Sequence, residues 1–124
     1  MLRNIQCNYV LVAIIIISLL SACKKQNIPV KPESSAFSAQ LKNNAVFPAT
    51  GGKDTIVVNG GTNGWWITTP DNSWAVITKR YGSGDFKIPV SVNANLTGAS
   101  REINVTVNPT FGMPPVSINI KQAN

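Results

Sequence analysis

Three runs in the second half of the chain alternate apolar and polar residues with a period of two. Phe86, Ile88, Val90 and Val92 alternate with Lys87, Pro89, Ser91 and Asn93. Ile103, Val105 and Val107 alternate with Glu102, Asn104, Thr106 and Asn108, and Val116, Ile118 and Ile120 with Ser117, Asn119 and Lys121. Successive side chains on a β-strand point to opposite faces, so each run is a strand with one face in a core and the other in water. Shorter apolar runs precede them at residues 37–42, 45–47, 55–59 (Ile56 and Val58 sharing a face), 65–69 and 74–80. The run at 74–80 carries apolar residues on both faces, which leaves its inward set open. Turns rich in Gly, Asn, Pro and Asp separate the runs, and none has a helical period. This pattern predicts an all-β fold, an immunoglobulin-like β-sandwich of about seven to eight short strands, with a small barrel as the alternative. Pro89 cannot donate to a ladder, so its strand is expected to have an edge or a bulge there.

The stretch Gly64-Trp65-Trp66-Ile67-Thr68 adds a second constraint. Neighbouring tryptophans on one strand cannot both face the core. Trp65 shares its face with Ile67 and reads as buried; Trp66 shares its face with Thr68 and reads as outward. A packed indole buries roughly 150–250 Å², so a wet one forgoes several kcal/mol at about 25 cal/mol per Å². Either a partner covers Trp66 or the chain itself does, with the connection at residues 111–113 as the candidate cover. Trp74, like Trp65, is expected in the core.

The first residues belong to a different kind of segment. Arg3 gives a positive start, and residues 9–20 form an apolar run too short for a comfortable membrane span but suited to a secretory signal. The run ends in Leu20-Ser21-Ala22-Cys23, which resembles the lipobox of bacterial lipoproteins. That resemblance implies cleavage before Cys23, lipidation of its thiol and acylation of its new amine. The expected organisation is a signal peptide at 1–22, a lipidated N-terminus and flexible tether at 23–36, and a sandwich domain at 37–124. By resemblance to lipoprotein sorting rules, Lys24 (rather than an aspartate) points to the outer membrane of a Gram-negative bacterium, on its periplasmic or its surface side. Cys7 would leave with the signal peptide and Cys23 would carry lipid, so no thiol remains for a disulfide or a metal.

Composition excludes several functions. The chain has 11 Lys and Arg, 5 Asp and Glu and no His. Three of the lysines (Lys24, Lys25, Lys31) lie in the tether, and no dense basic run is interleaved with aromatics, which argues against nucleic acid as a partner. The five carboxylates, Glu33, Asp54, Asp71, Asp85 and Glu102, show no paired spacing. With no histidine and no free thiol, the usual nucleophiles and general bases are missing, and the chain is read as non-catalytic, without cofactor or metal.

Several landmarks fall in one order. Phe47-Pro48-Ala49-Thr50-Gly51-Gly52 leads into a strand; Trp65-x-Ile67, Trp74 and Gly82-Ser83-Gly84 follow. Asn95-Leu96-Thr97-Gly98-Ala99-Ser100-Arg101 then leads into Ile103-x-Val105-x-Val107, and the chain closes on Ile118-x-Ile120-x-Gln122. Over residues 37–123 this set resembles the BACON domain, the Bacteroidetes-associated carbohydrate-binding, often N-terminal module. The resemblance implies an immunoglobulin-like sandwich on extracytoplasmic proteins, commonly beside glycoside hydrolases and mucin-active peptidases, with a carbohydrate-binding role. The chain departs from the family in its doubled tryptophan, in the longer connection at 109–115 and in showing no catalytic partner domain. On this reading Trp66 stacks on the C–H face of a sugar, while Asp71, Asn72, Lys79, Arg80 and Tyr81 surround it with groups that bond hydroxyls. The partner would be a polysaccharide or a mucin glycan. The alternative is a structural or adaptor module making protein–protein contacts in the cell envelope. Gly51, Gly52, Gly82 and Gly84 are expected at positive φ in turns, and Asn95 and Arg101 are expected to fix the loop between two strands.

Overall fold

The alternating runs close into two four-stranded sheets in a computed structural model that describes residues 30–31, 33–70 and 73–124. The strands are β1 (Ser38–Leu41), β2 (Gly52–Asn59), β3 (Gly64–Thr68), β4 (Ala75–Ile77), β5 (Tyr81–Ser83), β6 (Phe86–Val92), β7 (Arg101–Pro109) and β8 (Val116–Gln122). Among the described residues there is no helix. One sheet runs β1-β2-β6-β4 and the other β5-β3-β7-β8, every strand pair being antiparallel. The first order matches the A-B-E-D sheet of an immunoglobulin constant domain, and β3-β7-β8 matches its C-F-G sheet. The molecule is therefore an immunoglobulin-like β-sandwich, with β5 added at the edge beside β3.

Alternation builds the core directly. Ile56, Val58, Ile88 and Val90 from one sheet meet Trp65, Val105, Val107 and Ile120 from the other, all essentially without exposure. Each such aliphatic side chain stabilises the fold by about 1.5–3 kcal/mol relative to a wet position. The run at 74–80, undecided in sequence, turns Ala75 and Ile77 inward and leaves Val76 exposed. It then changes sheet: β4 pairs with β6, and after residues 78–80 the chain joins β3, where the Ile67 N–H donates to the Arg80 carbonyl at 2.7 Å. Such a switch closes one side of a sandwich.

The edge expected at Pro89 is present: β4 pairs with β6 only over Val90–Val92, so at Pro89 one flank of β6 is open. Three sequence expectations change in detail. Residues 45–47 form no strand; Phe47 makes a single parallel bridge to Gln122, donating to the Lys121 carbonyl at 2.9 Å. Gly51 (φ 84°) and Gly84 (φ 68°) do occupy the left-handed region, whereas Gly52 and Gly82 lie in strands. Gly82 is required by packing: a Cβ there would sit 2.5 Å from the Trp65 ring. Finally, Ser35, placed by sequence in the tether, is held against the β2–β3 turn. Its hydroxyl donates to the Gly60 carbonyl at 3.2 Å, and its carbonyl accepts from the Asn63 amide at 2.8 Å.

A polar clasp fixes the end of the sandwich near the chain terminus. Gln122 is 1% exposed; its amide donates to the Asn93 carbonyl at 2.8 Å and the Pro48 carbonyl at 3.0 Å, and its oxygen accepts from Arg101 Nε at 2.9 Å. Asn95 donates to the carbonyls of Ala99 and Ala123, so Asn95 and Arg101 do hold the β6–β7 loop. The chain divides into two units, Met1–Lys31 and Pro32–Asn124. Every strand and every core residue named here lies in the second, which thus carries its own core. The expected signal peptide, Cys23 and the first part of the expected tether lie outside the described residues.

Candidate functional site

The two indoles diverge as strand geometry requires. Trp65 is 2% exposed, packed on Gly82 and on Phe86 with ring centroids 5.9 Å apart, and its Nε1–H donates to the Gly84 carbonyl at 3.1 Å. Trp66, on the outer face of β3, is 46% exposed. Trp74 is half-buried against the core, with the Arg101 guanidinium 4.6 Å above its ring. Of the three tryptophans, Trp66 is the one offered to solvent.

Its neighbours follow from the sheet register. Tyr81 on β5 is the direct cross-strand partner of Trp66 and is 75% exposed. Side chains so paired have Cβ atoms about 4.5–5.5 Å apart, which places Trp66 and Tyr81 on the same outer face. Asn108 on β7 is the partner on the other side, its amide donating to Thr68 Oγ1 at 3.1 Å and to the Trp66 carbonyl at 3.3 Å. Beyond this row the same face carries Thr68, Thr106 and Ser117, then Asn104 and Asn119, then Glu102 and Lys121. The face is therefore an aromatic shelf continued by a ladder of neutral hydrogen-bonding side chains.

The β7–β8 connection lies beside the shelf. Thr110 pins it to the start of β3: its N–H donates to the Gly64 carbonyl, and its hydroxyl accepts from the Gly64 N–H, both at 2.9 Å. Phe111 follows at φ 60° and Gly112 at φ 69°. A side chain in the left-handed region costs about 1–2 kcal/mol, and here that conformation leaves Phe111 46% exposed. Trp66, Asn108, Phe111, Met113 and Pro115 line a shallow groove of about 440 Å³. The connection thus flanks Trp66 as one wall of a groove and leaves about half of the residue open.

The other residues singled out in the sequence divide into three groups. Lys79 reaches this neighbourhood, its Nζ lying 5.9 Å from the centroid of Tyr81 and 5.2 Å from that of Phe86. Arg80 falls in register with the inward Ile67, out of phase with Tyr81, and is exposed at the side of the sandwich. Asp71 and Asn72 lie outside the described residues. Asn108 was missed from sequence because only the β3–β7 register brings it to Trp66.

Three of the four described carboxylates, all but the exposed Glu33, have local partners. Asp54 is buried and accepts from the Asn43 amide at 3.0 Å and the Thr55 N–H at 2.7 Å. Asp85 accepts from the Gly60 and Gly61 N–H groups at 2.9 and 3.0 Å, and Glu102 pairs with Lys121 at 4.0 Å. Among the described residues no three of His, Cys, Asp and Glu converge as metal ligands would.

No family model matches the chain. Over 85 residues, 68% of its length, it is 35% identical to a xyloglucan-specific endo-β-1,4-glucanase of Bacteroides ovatus. A solved GH5 xyloglucanase of Bacteroides ovatus, in complex with a XXXG heptasaccharide, shares the fold with a TM-score of 0.59 at 30% identity over 71% of this chain. The chain spans 16% of the length of the first protein and 19% of the second.

Proposed function

We propose that this chain is a non-catalytic, BACON-type glycan-binding module, anchored by lipid on Cys23 at the outer membrane of a Gram-negative bacterium. The observation that carries the reading is the pair Trp66 and Tyr81, cross-strand partners that are both exposed on one outer face of the sheet. Sugar rings present apolar C–H faces that stack on such rings. The adjoining Asn108, Lys79 and Phe111 supply hydroxyl bonding and a wall, with Asp71 and Asn72 as further candidates. The likeness to Bacteroides ovatus GH5 xyloglucanase, in sequence and in solved structure, supports a polysaccharide as the ligand class. The non-catalytic part of the reading is supported by Asp54 and Asp85, which are occupied in holding turns, and by Glu102, which faces a lysine.

The test is affinity electrophoresis of residues 32–124 through gels containing xyloglucan, other β-glucans or mucin. Retardation by at least one, abolished in Trp66→Ala and in Tyr81→Ala while both variants still melt cooperatively, is expected. Free migration through the whole panel refutes the glycan reading.

One observation favours an adaptor role instead. The edge strands β1 and β8 border a groove of about 500 Å³ lined by Gln40, Asn44, Val46, Ser117 and Asn119, and Val46 is 59% exposed above it. An extended peptide could add to β8 there. That partner would still be captured by Trp66→Ala, which separates the two readings.

A further inference from the structure

The two outer faces of the sandwich differ in charge. On the β1-β2-β6-β4 face, three successive cross-strand rows read Gln40–Val57–Lys87, Lys42–Thr55–Pro89 and Lys53–Ser91–Val76. Each of these rows carries one exposed lysine and no carboxylate; Asp54 of β2 is turned inward and buried, and Asp85, in the next row beside Lys87, is tied to the Gly60 and Gly61 N–H groups. On the opposite face Lys121 sits beside Glu102, the one ion pair within 4.0 Å among the described residues. Rows two residues apart are about 7 Å apart, so the three lysines spread over about 13 Å of sheet. Converging lysines would grip a single phosphate; lysines spaced out over β6, β2 and the end of β1, with Pro89 and Val76 exposed on the same face toward β4, match an extended anionic plane.

We propose that this face lies against an anionic bilayer surface, which leaves Trp66 and Tyr81 on the far side of the sandwich, directed away from the membrane. The choice of a bilayer over a soluble polyanion rests on the lipid-anchor reading. Glu33 and Ser35 are held on the β2–β3 turn, so residues 24–32 between Cys23 and this turn reach at most about 30 Å, and β2 belongs to this same sheet.

The test uses residues 32–124, which contain the whole core and lack Lys24, Lys25 and Lys31. Sedimentation with phosphatidylglycerol vesicles at low salt is expected, with little on phosphatidylcholine vesicles and release at about 0.5 M salt. Each lysine near the surface contributes roughly fivefold, so Lys42→Gln/Lys53→Gln/Lys87→Gln weakens binding on the order of a hundredfold. Lys121→Gln, on the other face, leaves it within about twofold on the same scale. Equal sedimentation with both lipids, a loss in Lys121→Gln matching that of one face lysine, or capture by dextran sulfate without capture by vesicles overturns the proposal. The mass of the full chain reads lipid on Cys23 separately, so a failed face and a failed anchor give different results.

Discussion

Replacing the two neighbouring indoles one at a time gives a large and calculable asymmetry. Trp65 is 2% exposed and Trp66 is 46% exposed. Taking about 200 Å² for a packed indole and about 25 cal/mol per Å², the buried ring of Trp65 is worth up to about 5 kcal/mol, and the half-open Trp66 about half that. Both are upper bounds, because the unfolded chain already buries some of this area. Trp65→Ala also leaves a cavity under Gly82 and an unpaired Gly84 carbonyl, so its cost is set at about 3–5 kcal/mol. Trp66→Ala loses its cross-strand contact with Tyr81 and is set at about 1–2 kcal/mol. Urea denaturation of residues 32–124 followed by circular dichroism measures both. In a domain of this size about 1 kcal/mol moves Tm by roughly 4–8 °C, so the two variants separate clearly in a thermal melt as well. Equal costs, or a larger cost for Trp66→Ala, would refute the assignment of the inward face of β3.

Three further outcomes follow from contacts named above. Gly82→Ala drives a methyl into the Trp65 ring and should cost about 1–3 kcal/mol by chemical denaturation; a neutral result would show that the ring shifts freely. Gln122→Ala removes three buried hydrogen bonds, to the Asn93 and Pro48 carbonyls and from Arg101 Nε, while both carbonyls and the guanidinium keep another partner, and is expected to cost about 2–4 kcal/mol. Phe111→Gly relieves a left-handed side chain, so stability should stay level or rise by up to about 1 kcal/mol while retardation in a glycan gel weakens. A clear loss of stability in that variant would mean that Phe111 is packed rather than presented.

How far the sequence could be read depended on how local the determinants were. The runs beginning at Phe86, Glu102 and Val116 declared β6, β7 and β8 through a strict period of two, and the splay of Trp65 and Trp66 followed from the same rule. β5 was not legible because it is three residues long, contains Gly82 and is defined by pairing with β3 rather than by any pattern of its own. Phe47 failed as a strand because its backbone partner, Gln122, lies 75 residues away. Gln122 stood in phase with Ile118 and Ile120 as the end of a landmark, but its polar role was not legible; that arises only when the β6–β7 loop, the residues after Phe47 and Arg101 close around it. At the candidate site Trp66, Tyr81 and the 111–113 connection were each named from sequence. The register then set Tyr81 beside Trp66, and the left-handed turn at Phe111 made the connection a wall instead of a lid.

The exposed cross-strand pair Trp66 and Tyr81 is the centre of the account, and indole N–H and ring resonances report on it most directly. Residues 32–124 contain three tryptophans, of which Trp65 has its Nε1–H bonded to Gly84 and Trp74 lies under Arg101. Titration with a glycan that retards the domain in a gel should move the Trp66 indole signal and the Tyr81 ring signals, and leave the Trp65 indole in place. Movement confined to Trp65 or Trp74, with Trp66 unchanged at saturation, would contradict it.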